Sequence, residues 1–216
     1  MRSLIMVLTV FALFSCQKES LVVREDTSDE RYVIDNELSE LMVSVSAHDG
    51  SFDDVLDAAG CFSIQFPYTI LYNGEFKEIN SVNDLLGLDT GQDVVFEFPI
   101  TITYSNYVSQ TLRSADELLL ASASCSSNTF FLNAIRCVDF IYPIRITQFN
   151  SETNDFNTLV IDHDQENFTT IVELLDTQLA EIRFPVSLQL SNDMVVEVVN
   201  AQELKQFIYL HSEDCE

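Results

Sequence analysis

The sequence is poor in glycine, histidine, proline and positive charge. Five glycines occur in 216 residues, and none builds a P-loop, a glycine-rich nucleotide turn or a Gly-x-Ser-x-Gly elbow. The three histidines, His48, His163 and His211, stand apart in sequence, with no His-x-x-x-His metal spacing. Ten Lys+Arg face 35 Asp+Glu, for a formal net charge of −25. A phosphate backbone needs a basic surface, so nucleic acid is excluded as a partner, and adsorption to anionic headgroups is disfavoured. The composition is nevertheless 47% hydrophobic, with 16 Phe and 7 Tyr. A chain of this kind buries a core and is not disordered throughout.

The one leader-like apolar run opens the chain. MRSLIMVLTVFALFSC has a single charge at Arg2, an apolar run from Leu4 to Phe14, and Ser15 before Cys16. The run is too short to span a bilayer stably, and its flanks fit a secretory signal. LFSC resembles a bacterial lipobox, in which the cysteine becomes the lipidated first residue. Residues 1–15 are therefore expected to be a lipoprotein signal peptide and Cys16 the lipidation site. Loss of Arg2 takes the net charge to about −26. Residues 16–36 are polar and acidic and read as a flexible tether. Residues 37–60, including LSELMVSVSAH and SFDDVLDAAG, read as short lead-in helices that cover an open end of the first sheet.

There are only four prolines, Pro67, Pro99, Pro143 and Pro185, and each follows Phe or Tyr in the same setting: QFPYTI, EFPITI, IYPIRI and RFPVSL. Around each proline, apolar residues recur with period two, which marks a strand with one dry face. These residues are Ile64, Phe66, Tyr68, Ile70 and Tyr72; Phe96, Phe98, Ile100, Ile102 and Tyr104; Phe140, Tyr142, Ile144 and Ile146; and Ile182, Phe184, Val186, Leu188 and Leu190. Turn signals follow at Asn73-Gly74, Ser105-Asn106, Asn150-Ser151 and Ser191-Asn192-Asp193, and then a second strand. Each unit closes on a capping-box spacing: Ser81 with Asp84, Ser114 with Glu117, Thr170 with Glu173, Asn200 with Glu203. The leucines after these acids, Leu85, Leu118, Leu174 and Leu204, would seat each helix on its sheet. The Pro-to-cap spacings are 14, 15, 27 and 15 residues, so the third unit carries an insertion. A proline has no N–H to give a ladder, so each marks an edge, a bulge or the start of pairing.

Beyond Cys16, the four cysteines Cys61, Cys125, Cys137 and Cys215 suggest a disulfide framework in an exported chain. Spacing alone allows three pairings. Their parallel placement around the units selects Cys61–Cys125 and Cys137–Cys215. In a chain-entropy model each bridge stabilises its half by about 4 kcal/mol. The expected fold class is α+β: two tandem ββαββα modules, 61–126 and 137–216, each with a four-stranded, mostly antiparallel sheet and short helices.

Sites for chemistry are sparse. In IDHDQE, Asp162, Asp164 and Glu166 alternate as oxygen donors for Ca²⁺, but the stretch lacks an EF-hand glycine and closing Glu, and it also reads as a solvated loop. No other cofactor is implied. The aromatic strands Phe96–Tyr104 and Tyr68–Tyr72 suit either a glycan-binding face or a core. No carboxylate pair for hydrolysis can be singled out among 35 acids.

The segments VLDAAGCFSIQFPYTILYNG, VVFEFPITITYS with SADELLL, IRCVDFIYPIRIT, and IRFPVSLQLSND with NAQEL resemble a group of exported lipoproteins of unknown function from Bacteroidota, over residues 55–216. The resemblance implies an outer-membrane protein held by lipid on Cys16, facing the periplasm or the cell surface, and carries no catalytic residue across. A non-enzymatic structural, adhesive or ligand-binding role is expected, with a glycan or protein partner. The alternatives are a calcium- or glycan-binding surface protein and, behind it, an envelope hydrolase.

Overall fold

The computed structural model describes residues 31–57, 59–88, 94–125, 134–150, 153–175 and 180–212. Cys16, the leader and Cys215 lie outside these residues. The chain is α+β, built as two ββαββα modules.

Each proline interrupts its strand. In the first module β2 (Phe62–Ile64) and β3 (Tyr68–Tyr72) flank Pro67, while β5 (Val94–Phe96) and β6 (Ile100–Tyr104) flank Pro99. All four X-Pro peptide bonds are cis. The two interrupted strands run antiparallel along one another. Phe62 lies opposite Tyr104 and Ile64 opposite Ile102; beyond the break, Ile70 lies opposite Phe96 and Tyr72 opposite Val94. One step forward on one strand is one step back on the other, so this constant register sets Pro67 against Pro99. The Gln65 N–H donates to the Thr101 carbonyl (2.8 Å) and the Glu97 N–H to the Thr69 carbonyl (2.9 Å), so the ladder stops only where the N–H is missing.

A four-stranded sheet was expected in each module, and the proline break replaces it with two smaller ones. Beyond the break β3 pairs with β4 (Glu75–Ile79) and β6 with β7 (Ser109–Leu112), which gives three-stranded sheets ordered β4-β3-β5 and β2-β6-β7. The short strand of each unit thus completes the other unit's sheet. Both sheets feed one buried cluster, with Phe62, Ile64, Ile102 and Leu112 from one and Tyr68, Ile70 and Ile79 from the other.

The second module repeats the arrangement. β8 (Val138–Ile141) and β9 (Ile144–Asn150) flank Pro143; β11 (Ala180–Arg183) and β12 (Val186–Leu190) flank Pro185. Leu188 lies opposite Phe140 and Ile182 opposite Ile146, a register that again sets proline against proline. The hairpin partners are β10 (Asp155–Ile161) and β13 (Val195–Val198).

Three of the four expected helix starts hold. The Ser81 N–H donates to Asp84 Oδ2 (3.0 Å) ahead of a 3-10 turn, Val82–Asp84. The Glu117 N–H donates to Ser114 Oγ (3.3 Å) and the Glu203 N–H to Asn200 Oδ1 (2.9 Å), opening α3 (Ala115–Cys125) and α5 (Ala201–Ser212). Thr170 is a correction. It lies inside α4 (Asp164–Leu175), whose start is capped by His163: the Glu166 N–H donates to His163 Nδ1 (3.3 Å). The extra residues of the third unit go into seven-residue hairpin strands and an earlier helix start, so the sequence spacing mislocated the cap.

The lead-in also departs from expectation. The tether 16–36 is cut short, because Arg31–Val33 forms β1, paired antiparallel with β11. α1 (Asn36–Val45), capped by Asp35, buries Leu38, Leu41, Met42 and Val45 in the second module's core rather than covering the first sheet. Lys205 on α5 clamps it through Asp35 (2.9 Å) and Glu37 (2.7 Å). The chain then crosses to the first module, where a short helix α2 (Asp54–Asp57) leads into Cys61.

The Cys61–Cys125 bridge is present, with Cα atoms 5.7 Å apart and a sequence separation of 64. Cys137 is also disulfide-bonded, and its Sγ lies 2.9 Å from the His211 carbonyl oxygen near the end of α5. The expected partner, Cys215, falls outside the described residues.

Two turns match bond for bond. In Ser105–Val108 and Ser191–Met194 the Asn side chain accepts from the N–H two residues on, and the third residue, Tyr107 or Asp193, has φ 63°. Asp193 is exposed, whereas Tyr107 reaches into the second module. Its hydroxyl donates to the Ser46 carbonyl (2.9 Å), and its ring meets His48 (5.6 Å) and Phe168 (5.5 Å). A bulky residue at positive φ is unfavourable, so these contacts must outweigh the backbone cost. Tyr107→Asn keeps a residue that tolerates this backbone and deletes the contacts. It should lower unfolding free energy by about 2 kcal/mol in denaturant titration, while Asp193→Asn should leave it unchanged.

Candidate functional site

The strongest concentration of perturbed groups lies where the lead-in meets the first module. Asp49 accepts from the Ser51 N–H (2.8 Å), turning the chain toward Asp53. The Leu56 N–H (2.8 Å) and Asp57 N–H (3.3 Å) both donate to the Asp53 carbonyl, which forms one helical turn. The i, i+4 spacing then puts the Asp53 and Asp57 side chains on one face. Asp53 is 0% exposed, and Asp57 is half-buried.

Each carboxylate has one oxygen fixed by backbone. Asp53 Oδ2 accepts from the Ile64 N–H on β2 (2.6 Å), and Asp57 Oδ1 from the Ala59 N–H (3.0 Å). The remaining oxygens, Asp53 Oδ1 and Asp57 Oδ2, are buried without a hydrogen-bond partner in the protein, as is the hydroxyl of Tyr68. Tyr68 is 6% exposed and follows Pro67. An aromatic wall surrounds this group: Phe52 against Phe66 (5.9 Å), Phe66 stacked on Tyr68 (5.5 Å), Tyr68 on Phe96 (6.1 Å), and Phe96 on Phe98 (6.5 Å).

The surroundings make ionisation costly. Burial, opposed only by backbone hydrogen bonds, pushes the Asp53 carboxyl up to about 7. Burial and then the neighbouring Asp53 push Asp57 up to about 8. Burial, then Asp53 and Asp57, push the Tyr68 phenol up as well. Arg136 acts on the outer Asp54 and pairs with Asp49 (3.4 Å), and does not figure among the influences on the inner pair.

A second polar cluster lies in the other module. The Tyr142 hydroxyl donates to Asp164 Oδ1 (2.7 Å), beside Asn167, which is fully buried. Burial, followed by Asp164, raises the Tyr142 phenol. Two of the three candidate calcium donors, Asp164 and Glu166, are engaged within the protein. Glu166 reaches back to the Asp162 N–H (2.8 Å) as a helix cap, while Asp164 turns to Tyr142. Among the described residues no group of three His, Cys, Asp or Glu is placed to hold a metal ion.

The histidines are absorbed structurally. His48 Nε2 bonds Ser63 Oγ (2.7 Å) and burial holds its pKa down; His163 caps α4; His211 packs on Phe207 (4.6 Å). The Tyr68–Tyr72 and Phe96–Tyr104 stripes face the core, with Tyr68, Ile70, Ile100 and Ile102 buried. Asp53 and Asp57 were not singled out in sequence. The available signal was their i, i+4 spacing, on a turn shared with the apolar Phe52, Val55 and Leu56, in FDDVLDAAG. No family model, curated protein or solved structure matches the chain.

The pair links stability to pH. An unfolded Asp ionises near pH 4, whereas the folded pair holds its protons to about 7 and 8. The stabilisation is therefore complete below about pH 4 and is lost as pH rises through the folded values. Denaturant titration should give a higher unfolding free energy at pH 5 than at pH 8.5. Asp53→Asn should flatten that slope by up to one proton, or about 1.4 kcal/mol per pH unit, which separates the pair from general repulsion among surface acids.

Proposed function

We propose that the chain is an exported, lipid-anchored outer-membrane protein whose disulfide-closed modules serve as a non-enzymatic binding or scaffolding body. The observation that carries this reading is Cys16 at the end of a short apolar leader, behind LFS. Lipid on that cysteine gives attachment, and the stretch to Arg31 gives reach from the membrane. The Cys61–Cys125 bridge supports the reading, because such bonds persist in oxidising compartments outside the cytoplasm. The acidic charge keeps the body from lying flat on anionic lipid. A glycan or protein is the expected partner.

The hydrolase alternative draws little support. Asp53, the acid in the most perturbed pair, is sealed from solvent, whereas glycoside hydrolysis needs two carboxyls flanking an accessible sugar. The test is incorporation of an alkyne-tagged fatty acid by full-length protein made in a bacterial host with lipoprotein processing. Wild type should be labelled and should fractionate with the outer membrane; Cys16→Ala should be unlabelled and soluble in the periplasm. Wild-type protein without label would overturn the anchored reading.

A further inference from the structure

We infer that Asp53 Oδ1, Asp57 Oδ2 and the Tyr68 hydroxyl are ligands for one divalent cation of the calcium class. The inference does not rest on the anchoring proposal. A cluster of acids alone would mean little in so acidic a chain. Here Asp53 is interior, Asp57 is half-buried with its Oδ2 inside, and the third group is a phenol that is itself 6% exposed and lacks a hydrogen-bond partner. Asp53, at 0% exposure, leaves Oδ1 equally without one. A buried polar atom is almost always satisfied in a folded protein, and three orphans in one place call for a missing partner.

The geometry narrows that partner. One oxygen of each carboxylate is already held by a backbone N–H, so the ligating oxygens are oriented in advance. None of the three free oxygens bonds to another, and both carboxylates act on the Tyr68 phenol, so the three are near enough to share one partner. Charge narrows it further. The influences on Asp53 and Asp57 are burial, other aspartates and backbone, with no cationic side chain. A divalent ion compensates two buried carboxylates at once, where a water compensates none. The donors are all oxygen, which favours hard cations over zinc or copper. Ca²⁺ tolerates flexible geometry and mixed oxygen ligands, whereas Mg²⁺ demands a near-ideal octahedron, so Ca²⁺ is the better fit. The site differs from the acidic run at 162–166, where Glu166 is used in capping and Asp164 in the bond to Tyr142.

Tb³⁺ tests this in the whole mature chain. The protein has seven tyrosines and no tryptophan, so sensitised Tb³⁺ emission must come from a nearby tyrosine. The expected result is one saturable emissive site per chain, displaced by Ca²⁺, with a Ca²⁺-dependent rise in melting temperature. Tyr68→Phe should lose most of the emission, and Asp57→Asn should lose both the emission and the melting shift. Glu166→Gln should retain both. Tyr68→Phe keeps the ring packing, so it decides the matter even where Asp57→Asn fails to fold. Emission unchanged in Tyr68→Phe, or no emission and no melting shift in wild type, would overturn the site; the second outcome would leave ordered water between the three oxygens.

Discussion

The pairing of two interrupted strands, proline against proline, is the constraint on which each module depends. Because a proline has no N–H, the ladder must stop there, and the constant register makes both strands stop at one place. Each chain segment then passes from one sheet into the other. β2 completes the sheet of the second unit and β5 that of the first. A single unit therefore leaves a sheet short of a strand and a core open on one side. The folding module is the pair, which is why the Cys61–Cys125 bridge closes two units and not one.

The lead-in joins the modules. Its strand and first helix belong to the second module's sheet and core, and its second half belongs to the first module. Between them, the His48 N–H donates to the Ser105 carbonyl (2.9 Å) and the Ile135 N–H to the Ser44 carbonyl (2.9 Å). The buried acids sit just past this crossing, where the chain turns from one body to the other. The inferred ion site therefore lies beside the segment that ties the modules together.

Much of this organisation is legible in the sequence because it rests on short-range rules. The period-two stripes mark the dry face correctly through every proline: Ile182, Phe184, Val186, Leu188 and Leu190 are all buried. Asn73 and Gly74 both take positive φ, as an Asn-Gly hairpin turn requires. The caps at Ser81, Ser114 and Asn200 follow from local bonding. What stayed hidden depends on distant partners. Thr170-x-x-Glu173 has the capping spacing, but the longer β9–β10 hairpin had already placed the helix start at His163. Nothing in RYV distinguishes an edge strand from a tether until β11 offers its open edge. Asp53 and Asp57 look like ordinary surface acids until Ile64 and Tyr68 close over them.

Tyr107 and Asp193 occupy the same place in matching turns, and their difference decides which turn docks on another module. A head-to-tail series of identical modules exposes a free plug at one end and an empty socket at the other, and so keeps growing. In this chain the inner turn ends in an aromatic ring that is taken up by the following module, and the outer turn ends in a solvated carboxylate. The same turn thus serves as an intermodule contact at Tyr107 and as a solvent-facing hairpin end at Asp193.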